Sequence, residues 1–127
     1  MTIQKKLFKV TGELHKDQLE FKVSTWKLLI ETNRYYEIKP LTGTAVKRLY
    51  KEKLNAATTE TQYYANGALV VSAFCMEEYI EEIQQRIIDQ LESKIDIYMH
   101  ELALNRKAIE EMSEHLRKEQ VSSVSST

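Results

Sequence analysis

The sequence predicts an α+β fold, in which a small antiparallel β-sheet of four or five strands precedes one long C-terminal α-helix with coiled-coil heptads. All three glycines and the only proline lie within the first 67 of the 127 residues, so turns are concentrated there. Apolar residues alternate with polar ones in this half and recur at helical spacing in the second half. We therefore assign residues 1–75 to a sheet domain, 76–120 to the helix, with oligomerisation from about residue 88, and 121–127 to a flexible tail.

The first two strands follow from alternation on either side of a turn. Phe8 and Val10 alternate with Lys9 and Thr11, and "TGELHKD" around Gly12 predicts the turn. The second strand begins with "LEFKV", and the parity of its apolar positions changes before Trp26. Because a regular strand cannot face a single core with both parities, the change predicts a bulge or bend near Ser24 and Thr25.

The middle of the chain contains one further strand and one ambiguous stretch. "TNR" predicts a tight connection into "YYEIK", which "PLTG" closes. Residues 44–56 place apolar side chains at helical spacing after Thr44, a suitable N-cap, so we favour a short helix there. The same residues would also suit an edge strand protected by Lys47, Arg48 and Lys51.

A hairpin leads into the long helix. "QYYANGALVVSAF" predicts two strands joined by a type I′ turn at Asn66-Gly67. From Met76 to about Gln120 the pattern is helical without interruption. Four glutamates occupy the first turns, where negative charge interacts favourably with the helix dipole.

The strongest pattern in the chain is a heptad repeat in this helix. Aliphatic residues recur every seven positions, and a companion residue follows three positions after each of the first four. We predict that the two series form an oligomer interface, most simply in a homodimer. The nine residues are Ile88, Leu91, Ile95, Tyr98, Leu102, Asn105, Ile109, Met112 and Leu116.

The length of the helix bears on what covers this seam. A helix of about 43 residues is about 65 Å long, whereas a compact domain of this size is roughly 36 Å across. Burial of the seam would contribute on the order of 10 to 20 kcal/mol gross per chain. Either the helix pairs with a second copy, which we favour, or it breaks near "SKIDIYMHELALNRK" and folds back. Asn105 either fixes the register of an oligomer or lies at a frayed, partly exposed site.

The sequence predicts a protein that is not an enzyme and holds no metal or cofactor. It contains no phosphate-binding glycine loop, dinucleotide-binding fingerprint, nucleophile elbow or zinc-protease motif. Glu111 and His115 have the spacing of an exposed helical pair, and two ligands do not make a metal site. Cys75, the only cysteine, follows an apolar run and is expected to be a buried structural thiol.

Charge and tyrosine content suggest partner-binding surfaces in the first half. Residues 1–60 hold 12 Lys and Arg against 7 Asp and Glu, whereas residues 61–127 hold 6 against 12. The tyrosine doublets could pack, anchor a protein interface, or stack bases beside the neighbouring cations. The partner-binding candidates are Tyr35, Tyr36, Lys47, Arg48, Lys51, Tyr63 and Tyr64.

The compartment is expected to be the cytoplasm. The N-terminal "MTIQKKLFKV" lacks the apolar region of a signal peptide, and the apolar run "ALVVSAFCM" is too short to span a membrane. A single cysteine suits a reducing compartment. We therefore expect a soluble cytoplasmic protein with no membrane partner.

The layout resembles that of small accessory proteins of phages and mobile elements in low-GC Gram-positive bacteria. The resembling stretches are "LFKVTGEL", "KLLIETNRYYEIKP" and the run from "FCMEEYIEEIQQRI" onward. This resemblance implies a protein of the bacterial host cytoplasm, and some proteins of this kind inhibit host enzymes or defence systems. The leading hypothesis is thus a non-enzymatic interaction protein that oligomerises and binds a host protein. The alternatives are a nucleic-acid-binding accessory protein that uses the basic half and a small-ligand-binding oligomer.

Overall fold

A computed structural model describes residues 5–60 and 67–125, with side chains described as far as residue 120. These residues form a curled antiparallel sheet of six strands followed by one long α-helix, which confirms the α+β class and adds one strand to the expected count. The strands are β1 (Lys6–His15), β2 (Gln18–Glu31), β3 (Tyr35–Pro40), β4 (Lys47–Tyr50), β5 (Thr58–Thr59) and β6 (Ala68–Cys75). Single 3-10 turns at Lys51–Lys53 and Glu77–Tyr79 precede β5 and α1 (Ile80–Ser125), respectively.

The sheet order is β4-β3-β2-β1-β6-β5, so β1 lies near the centre and β4 and β5 are the two edges. Residues directly opposite each other in neighbouring strands share a face of the sheet. Val10 pairs with Val23 and Ala73 and therefore shares their face, which we call the helix face. Leu7, opposite Trp26, lies on the other face, which we call the inner face.

The first turns of α1 cover the helix face. Ile83, Ile87 and Leu91 are buried together with apolar residues of β1 and β6. The helix approaches the sheet closely at Gly12, where a Cβ atom would lie only 2.6 Å from Cγ2 of Ile87. Leu91, predicted as an interface residue, is 3% exposed within its own chain, so it contributes to this core and is not available to a second chain.

A second apolar cluster lies on the inner face. Trp26 packs against the ring of Phe74 in an edge-to-face arrangement, with a centroid distance of 5.2 Å. Because the cluster takes residues from β4 and from β6, it connects strands near opposite edges of the curled sheet. Its buried members are Leu7, Tyr36, Ile38, Leu49 and Phe74, and Trp26, Leu28, Leu54 and Met76 pack around them.

These two cores explain the change of parity in β2. The strand pairs with β1 in unbroken register from Gln18 to Lys27, so the predicted bulge near Ser24 and Thr25 is wrong. The register shifts later, between Leu28 and Ile30, where β2 pairs with β3. No bulge is needed at the parity change, because one set of apolar residues faces the helix and the other faces the inner cluster.

Two turn and strand assignments also differ from expectation. Residues 47–50 form the edge strand β4 and are followed by a 3-10 turn, so the favoured short helix is wrong and the edge-strand alternative is confirmed. The turn expected around Gly12 lies instead beyond His15, where Lys16 has a φ of 54°. β1 continues through Gly12 because the helix face needs a residue without a side chain at this point.

The predicted hairpin before β6 is described only in part. β5 pairs antiparallel with β6, and Gly67, which precedes β6, has a φ of 67°. A positive φ suits glycine because it carries no Cβ atom. Asn66, Tyr63 and Tyr64 lie outside the described residues.

The long helix is continuous from Ile80 to Ser125, as favoured from the sequence, and the alternative of a break within "SKIDIYMHELALNRK" is wrong. It also extends into the segment expected to be a flexible tail. By its contacts the chain divides into two compact units, residues 1–91 and residues 92–127. The helical part of the second unit, residues 92–125, is about 51 Å long at 1.5 Å per residue. Among the described residues, no helix combines the length and apolar character needed to cross a bilayer.

Candidate interaction surfaces

The predicted partner-binding residues of β3 and β4 are divided between the two faces of the sheet. Tyr36 is only 9% exposed and belongs to the inner cluster, with the ammonium of Lys51 5.2 Å from its ring centroid. Lys47 also lies over an inner-cluster ring, that of Phe74, at 5.1 Å. Tyr35 and Arg48 are on the opposite face, because consecutive strand residues point in opposite directions. The five residues therefore do not form one binding patch.

A partly exposed aromatic surface lies on the face of β3 and β4 that is opposite to the inner face. We define the tyrosine patch as Tyr35, Glu37, Arg48 and Tyr50, whose members are paired across the two strands. The guanidinium of Arg48 lies 4.3 Å from the ring centroid of Tyr35 and 3.4 Å from Oε1 of Glu37. The rings of Tyr35 and Tyr50 are 5.9 Å apart in an edge-to-face arrangement. Tyr50 was not among the predicted residues, since its pairing with Tyr35 depends on the edge strand.

A cleft of about 480 Å³ opens between β4 and the pair β5 and β6. At its wall, the hydroxyl of Ser72 donates a hydrogen bond of 2.6 Å to Oε1 of Glu60, and Nζ of Lys9 lies 3.0 Å from the same oxygen. Lys47 and Phe74 also line this cleft. The interactions of the glutamate are made within the chain, and none of them specifies a ligand.

The network at Glu60 predicts a weak dependence of stability on pH. The Ser72 hydrogen bond, reinforced by Lys9, holds the pKa of Glu60 below its ordinary value although partial burial opposes this. Since the folded pKa is depressed, the stabilisation is present above the unfolded pKa and is lost as pH falls through the folded one. Glu60→Gln should lower the free energy of unfolding at pH 7 by less than about 1 kcal/mol, because the side chain is 40% exposed.

Urea denaturation of Glu60→Gln and the parent protein at pH 7 and pH 3 would measure this effect. The difference between the two proteins should shrink at pH 3. Glu52→Gln, in the exposed 3-10 turn after β4, is the control. The difference in unfolding free energy between this variant and the parent protein should change less between the two pH values. An equal difference at both pH values for Glu60→Gln would contradict the assignment.

Many cations of the basic half are paired with glutamates. Lys51 lies 2.8 Å from Oε2 of Glu31, a contact that lowers the pKa of Glu31 and raises the pKa of Lys51. Lys5, Lys9, Lys22 and Arg48 also lie within 4.0 Å of glutamate oxygens. Arg48 and Lys51, two of the three cations among the partner-binding candidates, are therefore already paired within the chain. Nucleic-acid binding stays a prediction without a specific structural feature in its favour.

The second unit carries an exposed apolar seam. We define the seam as the heptad residues of this unit, Ile95, Tyr98, Leu102, Asn105, Ile109, Met112 and Leu116. Ile95 and Tyr98 are half-buried. The exposed fraction lies between 51% and 67% for Leu102, Ile109, Met112 and Leu116. Ile88, the first predicted interface residue, is half-buried and belongs to the first unit with Leu91.

The titratable residues on α1 do not assemble into a reactive centre. Nε2 of His115 lies 3.2 Å from Oε1 of Glu119, one turn further along rather than the predicted Glu111. Among the described residues, no group of three or more His, Cys, Asp or Glu side chains is arranged to hold a metal ion. Cys75 is buried, and this burial raises the pKa of its thiol, which opposes formation of the reactive thiolate.

Comparison with known proteins gives no relative. The sequence matches no protein family, and neither the curated proteins nor the solved structures include a match. Function is therefore argued from the surfaces described above.

Proposed function

We propose that this protein is a non-enzymatic interaction module that forms a homodimer through the seam and binds a protein partner through the tyrosine patch. The observation that supports it is a continuous helix whose heptad residues remain exposed over residues 102–116. That the partner is a host protein, and that binding inhibits it, rests on the resemblance to phage accessory proteins alone.

Self-association follows from the energetics of the second unit. Helices in water owe most of their stability to packing of an apolar face, and local propensity adds little. Removing the exposed part of one large seam side chain from water contributes roughly 1 to 2 kcal/mol. Several such side chains in each of two copies can offset the loss of translational and rotational freedom, which costs about 4 to 15 kcal/mol. A second copy supplies the matching heptads, because the same seven-residue spacing recurs along its own seam.

The tyrosine patch has the composition of a protein-binding surface. Tyrosine and arginine are over-represented among residues that contribute most to protein interfaces. Here Arg48 is held over Tyr35 and by Glu37, so its position is already ordered before any partner binds. Tyr50 is 47% exposed and offers a ring edge and a hydroxyl at the surface. Ile30 of β2 lies opposite Glu37 of β3 and is 52% exposed, so it adds apolar area to the tyrosine patch.

Leu102→Glu should convert the dimer to a monomer, because it places two like charges at the centre of the seam. The dissociation constant should rise at least about 100-fold, which corresponds to about 3 kcal/mol. Leu104→Glu is the matched control, since Leu104 has a comparable exposure of 53% but lies off the seam. Size-exclusion chromatography with light scattering would give the masses, and analytical ultracentrifugation the dissociation constants.

Three results would discriminate among the possibilities. A dimeric parent protein, a monomeric Leu102→Glu and a dimeric Leu104→Glu support the proposal. A monomeric parent protein at concentrations of about 100 μM would refute it. Loss of assembly in both variants would show that the interface extends beyond the seam, as in a larger helical bundle, and would contradict the dimer.

A further inference from the structure

We infer that two copies pair in parallel and in register, with the Asn105 side chains of both copies facing each other. This inference rests on the proposed self-association and adds the direction and alignment of the two helices. It is carried by one polar residue in the seam and by the charges on either side of it.

The first step concerns which residues meet in each arrangement. In a parallel, in-register pair, every seam residue faces the same residue of the other copy. In an antiparallel pair, a residue of the aliphatic series faces one of the companion series. Asn105 would then face Ile95, Leu102 or Ile109, depending on the alignment.

The second step concerns the amide of Asn105. Its side chain carries both a donor and an acceptor, so two facing asparagines can hydrogen-bond to each other. Facing an aliphatic side chain, the same amide would be buried without a partner, which costs its full desolvation. Asn105 therefore disfavours the antiparallel alignments more than the parallel one.

The third step concerns Glu101 and Arg106, which flank the seam on opposite sides. In a parallel pair, a residue on the first flank lies beside the residue five positions further along on the second copy. Glu101 of each copy thus meets Arg106 of the other, and the symmetric pair contains this contact twice. Charge pairs at these positions are known determinants of partner orientation.

Antiparallel alignments bring like charges together at the same two positions. If the helices cross near residue 103 or 107, the two Arg106 side chains face each other. If they cross near residue 100, the two Glu101 side chains do so instead. Each of these three antiparallel alignments therefore combines a like-charge pair with an unpaired Asn105, whereas the parallel alignment has neither.

Disulfide trapping would test the alignment. Ile95→Cys and Met112→Cys are prepared separately, and the second carries a tag that distinguishes its mass. In the parallel, in-register pair each variant should cross-link with its own kind, because identical seam positions are close enough for a disulfide. In an antiparallel pair centred between residues 103 and 104, two copies of residue 112 would be about 26 Å apart along the axis, while 95 and 112 would face each other.

The expected result is cross-linking of most chains in each single-variant sample under mild oxidation. After mixing and exchange, chains carrying Ile95→Cys should not form a disulfide with chains carrying Met112→Cys. The unmodified protein, which retains the buried Cys75, is the control for background oxidation. A dominant 95–112 product would overturn the inference while leaving the proposed dimer intact. A monomeric mass in chromatography together with no cross-link in any sample would overturn the proposed function as well.

Asn105→Leu tests whether the amide sets the alignment. We expect the dimer to tighten by about tenfold, because the change removes a polar group from the interface. In this background, the 95–112 product should appear beside the like-with-like products, since the penalty on antiparallel pairing is reduced. Retention of the like-with-like products alone would show that Asn105 does not determine the alignment.

Discussion

Gly12→Ala should lower the free energy of unfolding by about 1 to 3 kcal/mol, a large effect for a single methyl group. The added Cβ would lie 2.6 Å from Cγ2 of Ile87 and 3.2 Å from Cε1 of Phe21. Cγ2 of isoleucine is attached directly to Cβ, so it cannot move away without displacing α1 or the rotamer of a fully buried side chain. Glycine at this position therefore sets how closely the helix approaches β1.

A double-mutant cycle separates this contact from general damage to the core. Ile87→Ala alone should cost about 2 to 5 kcal/mol, since it leaves a cavity between helix and sheet. In Gly12→Ala/Ile87→Ala the clashing methyl group is absent, so the loss should be smaller than the sum of the single losses by about 1 kcal/mol or more. Urea denaturation followed by circular dichroism and by Trp26 fluorescence would give all four free energies.

Leu49→Ala provides the matched control for the cycle. Leu49 is buried in the inner cluster, on the other face of the sheet from Ile87, so the two sites share no contact surface. The loss of unfolding free energy caused by Leu49→Ala should therefore add to the loss caused by Gly12→Ala within about 0.5 kcal/mol. Strict additivity for Gly12→Ala and Ile87→Ala as well would show that the helix does not approach the sheet at this point.

The succession of a sheet and one long helix was predictable because periodicity depends on one chain segment at a time. The division of apolar residues between two cores was not predictable, since it depends on what covers each face. β2 shows this most directly: its change of parity was attributed to a bulge, whereas the strand is regular there and its two apolar sets lie on opposite faces of the sheet. Both apolar sets can be read from the sequence, but no local pattern indicates that the second set packs in a cluster that includes a residue of β4.

The boundary between core and seam in α1 was placed one turn too early for the same reason. The buried positions Ile83, Ile87 and Leu91 follow a spacing of four, which suits a helix that packs on a sheet. Leu91 also fits the heptad series that continues at Ile95, so both periods include it. Only its burial of 97% within the chain assigns it to the sheet core.

The surfaces were predictable only where a single strand pair defines them. Tyr35 and Tyr36 had to point to opposite faces because they are consecutive strand residues. Tyr50 was missed because its pairing with Tyr35 requires β4 to be a strand. The network of Lys9, Glu60 and Ser72 joins β1, β6 and the residue that follows β5, and no local spacing in the sequence relates these positions.

Phe74→Ala should destabilise the first unit by about 3 to 5 kcal/mol, because the ring is buried in the inner cluster. The ring contacts Trp26 edge to face, and the ammonium of Lys47 lies 5.1 Å from its centroid. Its removal therefore takes away aromatic and cation–π contacts in addition to buried apolar area. Phe74→Leu, which keeps most of the volume, should cost less than about 1.5 kcal/mol and serves as the control.

The same variant tests whether the inner cluster and the seam act independently. Phe74 belongs to the first unit, residues 1–91, whereas the seam lies entirely in residues 92–127. The urea midpoint of Phe74→Ala should therefore fall in circular dichroism and Trp26 fluorescence, while the mass of the native variant stays that of a dimer. A loss of dimer at a urea concentration where the sheet is still folded would mean that the inner face contributes to assembly. An unchanged midpoint would instead mean that the inner cluster does not stabilise the sheet.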